Sequence, residues 1–222
     1  MIDEGAMDFA AARVKMVDNQ IRTTDVTDLE ILRAFLNVPR ELFVPAERRE
    51  LAYIGAEIPL APGRTMMEAS PLAKLVQLAR VGQGDRVLVV GCGTGYACAI
   101  AARLGDSVVG LEENEALVDT ARTALATAGV EGVEIVQGPL RAGHPKGAPF
   151  DVILLEGSVD EVPPALVEQL AERGRLVTVV GHGNSGMAKL YVRDGDIVSD
   201  RFGFNCSLRP LPGFQKEAGF VF

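Results

Sequence analysis

From residue 86 onward, short apolar runs alternate with segments whose apolar residues recur at helical spacing. Arg86 to Val90, Ser107 to Leu111, Val133 to Val136, Asp151 to Leu155 and Arg175 to Val180 are β-branched and largely apolar, as strands covered on both faces are. Tyr96 to Leu104, Glu113 to Ala128 and Pro163 to Glu172 read as the helices between them, with Gly105, Gly129 and Gly174 at capping positions. This alternation predicts an α/β fold with a parallel sheet.

The pattern changes after Gly181. Leu190 to Val192 and Ile197 to Phe204 flank Asp194-Gly195, a hairpin signal, so the sheet is expected to end in antiparallel strands. Before Val81 the reading is mainly helical, with Ala10 to Ile21, Asp28 to Leu36 (capped by Thr27 or Asp28) and Leu72 to Ala79 as candidates. Val38 to Met67, with its prolines and glycines, reads as packed irregular chain. The expected organisation is an N-terminal helical extension, residues 1–80, packed on a Rossmann-like core, residues 81–222, as one structural unit.

Composition narrows the partners. At 48% hydrophobic and 23% charged, the chain has the profile of an ordinary globular protein. No apolar run is long enough to span a bilayer and the start is acidic, so no membrane is expected and the cytoplasm is the expected location. A net charge of −8 opposes a nucleic-acid partner. Cys92, Cys98 and Cys206 have neither disulfide-framework nor metal-ligand spacing, so no metal is expected. Nothing in the sequence signals an oligomeric state.

The candidate chemistry sits at the first parallel strand, which runs into Gly91-Cys92-Gly93-Thr94-Gly95. A dinucleotide fingerprint needs its third glycine one position later, where Tyr96 stands, to seat a pyrophosphate. The tighter spacing suits S-adenosyl-L-methionine, which has no phosphate. Glu112 closes the next strand about twenty residues on, where an acid accepts hydrogen bonds from ribose hydroxyls. Gly91, Cys92, Gly93, Gly95 and Glu112 are therefore the expected cofactor contacts. Cys92 reads as a small packing residue rather than a nucleophile.

Val38-Pro39-Arg40-Glu41-Leu42-Phe43-Val44-Pro45, followed by Ala52-Tyr53, resembles the N-terminal signature of the protein-L-isoaspartate O-methyltransferases. Val87 to Tyr96, Ala148-Pro149-Phe150-Asp151 and Gly174-Arg175-Leu176-Val177 resemble that family's later motifs in order. The resemblance implies a seven-stranded, mostly parallel methyltransferase sheet. It also implies methyl transfer from S-adenosyl-L-methionine to the α-carboxylate of isoaspartyl residues in a damaged protein or peptide, as a repair reaction.

Several positions depart from the family pattern. Val89 stands where an acid is usual, and Pro139-Leu140 where the family has an Asp-Gly pair near the adenine, so the resemblance implies Leu140 as a further cofactor contact. Met67 falls on the family's active-site serine, with Thr65 or Ser70 as alternative hydroxyls, although Ser70 also reads as a helix cap before Pro71. Met67, Glu68, Glu156 and His182 are the expected substrate-proximal residues, whereas His144 reads as loop. These departures motivate two other readings: a paralogue acting on a different acceptor, and a non-catalytic module that binds the cofactor.

Overall fold

The computed structural model describes residues 7–216. Helix α1 (Phe9–Met16) is capped by Asp8, whose carboxylate accepts from the Ala11 amide at 3.0 Å, and continues into one wider turn, Val17–Ile21. In α2 (Leu29–Asn37) Asp28 is the cap, and the face carrying Ile31, Leu32, Ala34 and Phe35 is buried. Val38 turns extended before Pro39, whose ring disfavours a helical preceding residue.

The segment expected to be irregular contains a small antiparallel hairpin, β1 (Ile58–Ala61) with β2 (Arg64–Met66). Three to four residues per strand are too few to show a periodicity of their own. Helix α3 (Ala69–Ala79) follows. Ser70 lies inside α3 rather than capping it, and its hydroxyl donates to Thr24 Oγ1 at 2.8 Å.

The main sheet contains β3 (Arg86–Val90), β4 (Ser107–Glu112), β5 (Val133–Gln137), β6 (Phe150–Val159), β7 (Leu170–Val180), β8 (Met187–Asp194) and β9 (Ile197–Asn205). Their order is β5-β4-β3-β6-β7-β8-β9, the first five parallel and the last two antiparallel, as the two halves of the sequence pattern require. The connections are α4 (Tyr96–Ala101), α5 (Glu115–Thr127) and α6 (Pro164–Val167). Strand order reverses between β3 and β6, which opens a crevice at the carboxyl ends of these strands.

The expected helix from Pro163 to Glu172 is only α6. Leu166 and Leu170 are four apart and both buried, which imitates helical spacing, but Leu170 already pairs with Phe150 in the sheet. Gly174 accordingly lies within β7, not after a helix. It sits in a bulge where a Cβ would come within 2.8 Å of the Ala171 carbonyl.

Alternate residues of β3 serve two cores. Val87 and Val89 join Phe35, Phe43 and Met67 on one face, and Leu88 and Val90 join Leu111, Ile153 and Leu176 on the other. The N-terminal segment thus shares a hydrophobic core with the sheet.

Candidate active site

At the end of β3 the chain folds back on itself, and the Gly91 and Cys92 amides both donate to the Leu111 carbonyl, at 2.8 and 3.1 Å. Gly91 and Gly93 have φ of 74° and 55°, and added Cβ atoms would lie 2.8 Å from Leu211 Cδ2 and 2.9 Å from Leu60 Cδ1. Both positions therefore need glycine for conformation and for space. Cys92 and Cys98 are buried over Gly110, where a Cβ would meet their sulfurs at 3.0 and 2.7 Å. A hydrogen bond with Cys92, reinforced by burial, holds the Cys98 thiol pKa well above its usual range, so this pair packs rather than reacts.

Glu112 is 1% exposed and accepts four hydrogen bonds. Oε1 takes the Glu113 and Asn114 amides at 3.0 and 3.1 Å, and Oε2 takes the Gly93 amide at 2.9 Å and Arg64 Nη2 at 2.7 Å. It is a buried, fully engaged carboxylate, and helix α5 is capped by Asn114 instead. Leu140, also buried, opens a short turn after β5, and Pro139 before it is exposed.

Arg64 is the site residue that sequence reasoning missed. It lies in β2, is 6% exposed, and donates both to Glu112 and to the Gly91 carbonyl at 2.7 Å. A lone arginine two residues after a proline reads as a solvated turn residue. Only the folding of the hairpin over the glycine loop brings it to the carboxylate.

Met67 and Glu156 meet on the other side of the crevice, where they line a void of about 10 Å³ with Thr65 and Leu208. Between Leu154 and Ser158, β6 bulges away from its pairing with β7, and this sets the direction of Glu156. Glu156 is partly accessible, yet burial pushes its pKa up to about 8; Glu112 adds to the shift, and Arg64 and Arg40 oppose it. Glu68, half-buried, is raised by burial and by Glu57.

The signature segment supports the site from behind. Arg40, 1% exposed, donates to the carbonyls of Ala52 and Met67 at 2.8 and 2.7 Å and lies 4.7 Å from the Tyr96 ring centre. Glu41 accepts from Arg13 at 2.9 Å and from the Tyr53 hydroxyl, which ties α1 to the same segment.

His182 falls outside this group: it is exposed and pairs with Asp160 at 2.9 Å. Ser70 is likewise engaged elsewhere, with Thr24. His144 is a half-buried loop residue whose amide donates to Gln169. A larger cavity, about 660 Å³, opens beside Asp160, Glu168 and Tyr191, and no residue of the glycine loop lines it.

A void of about 280 Å³ lies beside Glu112, lined also by Glu113, Asn114 and Leu140 with Arg64 and Pro62 across it. Ligand pockets generally span roughly 300–1,000 Å³. The carboxylate, the adjacent polar residues and the apolar Leu140 wall fit the ribose and adenine of S-adenosyl-L-methionine. The space beside Gly91 and Gly93 is filled by Leu60, Arg64 and Leu211. Among the described residues no cluster of metal-ligating side chains is present.

Comparison with known proteins agrees with this architecture. Residues 11–207 match the model of the family described as protein-L-isoaspartate(D-aspartate) O-methyltransferase. The chain is 39% identical over 184 residues to protein-L-isoaspartate O-methyltransferase 1 of Rhodopseudomonas palustris, covering 83% of this chain and 75% of that one. It is 36% identical to the Methanoculleus marisnigri protein-L-isoaspartate O-methyltransferase, covering 90% and 91%. A solved protein-L-isoaspartate O-methyltransferase superposes with a TM-score of 0.79 at 27% identity, over 90% of this chain and 66% of that longer chain. A Plasmodium falciparum structure in complex with S-adenosyl-L-homocysteine shares the fold, with a TM-score of 0.76 at 19% identity over 93% and 99% of the two chains. By sequence, fold and the order of its motifs, the chain belongs to the protein-L-isoaspartate O-methyltransferase family.

Proposed function

We propose that this protein is an S-adenosyl-L-methionine-dependent carboxyl methyltransferase that acts on isoaspartyl residues of damaged proteins or peptides. The observation that carries the reading is the buried Glu112 carboxylate, 2.9 Å from the Gly93 amide and beside the Leu140-walled void, in a chain matched to the family over residues 11–207. Gly91, Cys92, Gly93, Gly95, Glu112 and Leu140 are the residues that hold the cofactor in this reading.

The cofactor supplies an activated methyl group on a sulfonium sulfur. The acceptor carboxylate is already ionised at neutral pH, so the reaction needs no general base. The chain's own contribution is to align the acceptor with the methyl group and to exclude water. Met67, Thr65, Glu68 and Glu156 are the acceptor-facing residues proposed here. With its pKa near 8, Glu156 is mostly neutral at pH 7, so it does not repel an incoming carboxylate and its acid proton is available to it. Met67 supplies apolar surface where the resemblance expects a serine. The same reading places the chain in the cytoplasm, in keeping with its three free cysteines.

The test is a labelled-methyl assay on an isoaspartyl peptide beside its aspartyl twin, scored as base-labile methanol, with calorimetry for cofactor binding. Label on the isoaspartyl peptide alone is the expected result. Cofactor binding with no transfer to either peptide would leave the fold reading intact and refute the acceptor.

A further inference from the structure

We infer that the β1–β2 hairpin is a strap that closes the cofactor site, with the Arg64 guanidinium as an internal cation that S-adenosyl-L-methionine must displace. This inference rests on the cofactor assignment above. Two observations carry it.

First, Arg64 uses the polar groups a cofactor would need. It takes the remaining hydrogen-bonding capacity of Glu112, whose four acceptor positions are then all engaged, and it occupies the Gly91 carbonyl. Second, the strap excludes volume as well as competing for charge. Leu60 stands over Gly93, and Leu211, from the segment that pairs alongside Ser158, stands over Gly91. These two glycines leave the loop bare, as a ligand lying against the backbone requires, and hairpin and tail side chains take up that space. The acceptor-side void is closed to about 10 Å³ in the same arrangement.

Charge distinguishes the two ligands. S-adenosyl-L-methionine carries a net positive charge on its sulfonium side, so its entry exchanges one cation for another beside the buried Glu112. S-adenosyl-L-homocysteine, the product, has no sulfonium and leaves the carboxylate without a cation when Arg64 is displaced. Burying an unpaired charge is costly, so Arg64 returns to Glu112 more readily against the product than against the substrate cofactor. The strap therefore weakens both ligands by the same factor, and the sulfonium beside Glu112 sets the preference between them.

The experiment is calorimetric titration of S-adenosyl-L-methionine and S-adenosyl-L-homocysteine into the wild-type protein, Arg64→Gln and Leu60→Ala. Arg64→Gln is expected to bind S-adenosyl-L-homocysteine at least tenfold more tightly than wild type. S-adenosyl-L-methionine is expected to gain by a similar factor, because Arg64 is displaced by both ligands, so the preference between the two is kept. Leu60→Ala, which leaves the ion pair in place, is expected to tighten both ligands about threefold and to keep that preference; it decides the question if Arg64→Gln fails to fold. Equal affinities in all three proteins would overturn the strap and leave the methyltransferase reading standing. No binding of either ligand to any of them would overturn both.

Discussion

The Thr94 hydroxyl donates to the Phe43 carbonyl across 2.6 Å, joining the glycine loop to a segment 51 positions earlier in the chain. The bond is buried, so the signature segment braces the glycine loop. Thr94→Val keeps the side-chain shape but leaves that carbonyl unpaired, which costs about 1–3 kcal/mol. Urea denaturation is expected to show the loss, and cofactor affinity is expected to weaken severalfold as the loop loosens.

Glu156 makes stability depend on pH. Its pKa rises from 4.5 in the unfolded chain to about 8 in the folded protein, so between these values the native state holds a proton the unfolded state has lost. Stability is greatest below the lower value, falls as pH rises through the window, and levels off above pH 8. Glu156→Gln is expected to flatten this slope, with a gain over wild type of roughly 1–3 kcal/mol at alkaline pH. Chemical denaturation on either side of the window measures it. The same ionisation is expected to raise KM for an isoaspartyl peptide above pH 8 in wild type and not in the variant.

At Met67, stability and activity are expected to move in opposite directions. The side chain is 4% exposed, and Met67→Ser removes buried apolar volume at a cost of about 2–4 kcal/mol. The new hydroxyl would face the void beside Glu156 and Thr65, where it can hydrogen-bond to an acceptor carboxylate. A hydrogen bond to a charged group corresponds to roughly a tenfold gain in rate. Thermal denaturation and the peptide assay on one preparation would show whether methylation rises as stability falls. Unchanged methylation would show that the acceptor lies elsewhere.

The cysteines are expected to be quiet in the native state. Cys92 and Cys98 are buried, and burial pushes the partly exposed Cys206 up to about 11. A thiol reagent at neutral pH should label Cys206 slowly and the other two only after denaturant is added. Rapid native labelling of Cys92 would contradict its role as packing beneath the glycine loop.

Most of the sheet was legible because its strands are buried on both faces, and a buried strand needs a run of apolar residues wherever it sits. The Asp194-Gly195 turn and the Asp28 cap were legible for a similar reason, since each is a local solution to a local backbone requirement. The α6 region misled because Leu166 and Leu170 satisfy helical spacing while serving two different elements. The β1–β2 hairpin was invisible because short strands carry no period.

The sequence by itself determined the sheet, the glycine loop, the acid that follows it and the family signature, because each is encoded by neighbouring residues. The tertiary structure decided what those residues meet. Arg64 and Glu112 lie 48 positions apart, yet they form a buried ion pair beside the glycine loop. Glu156 acquires its raised pKa from burial among groups contributed by three other segments. Charge burial and side-chain occupancy are properties of assembled space, so they have no signature in the order of residues.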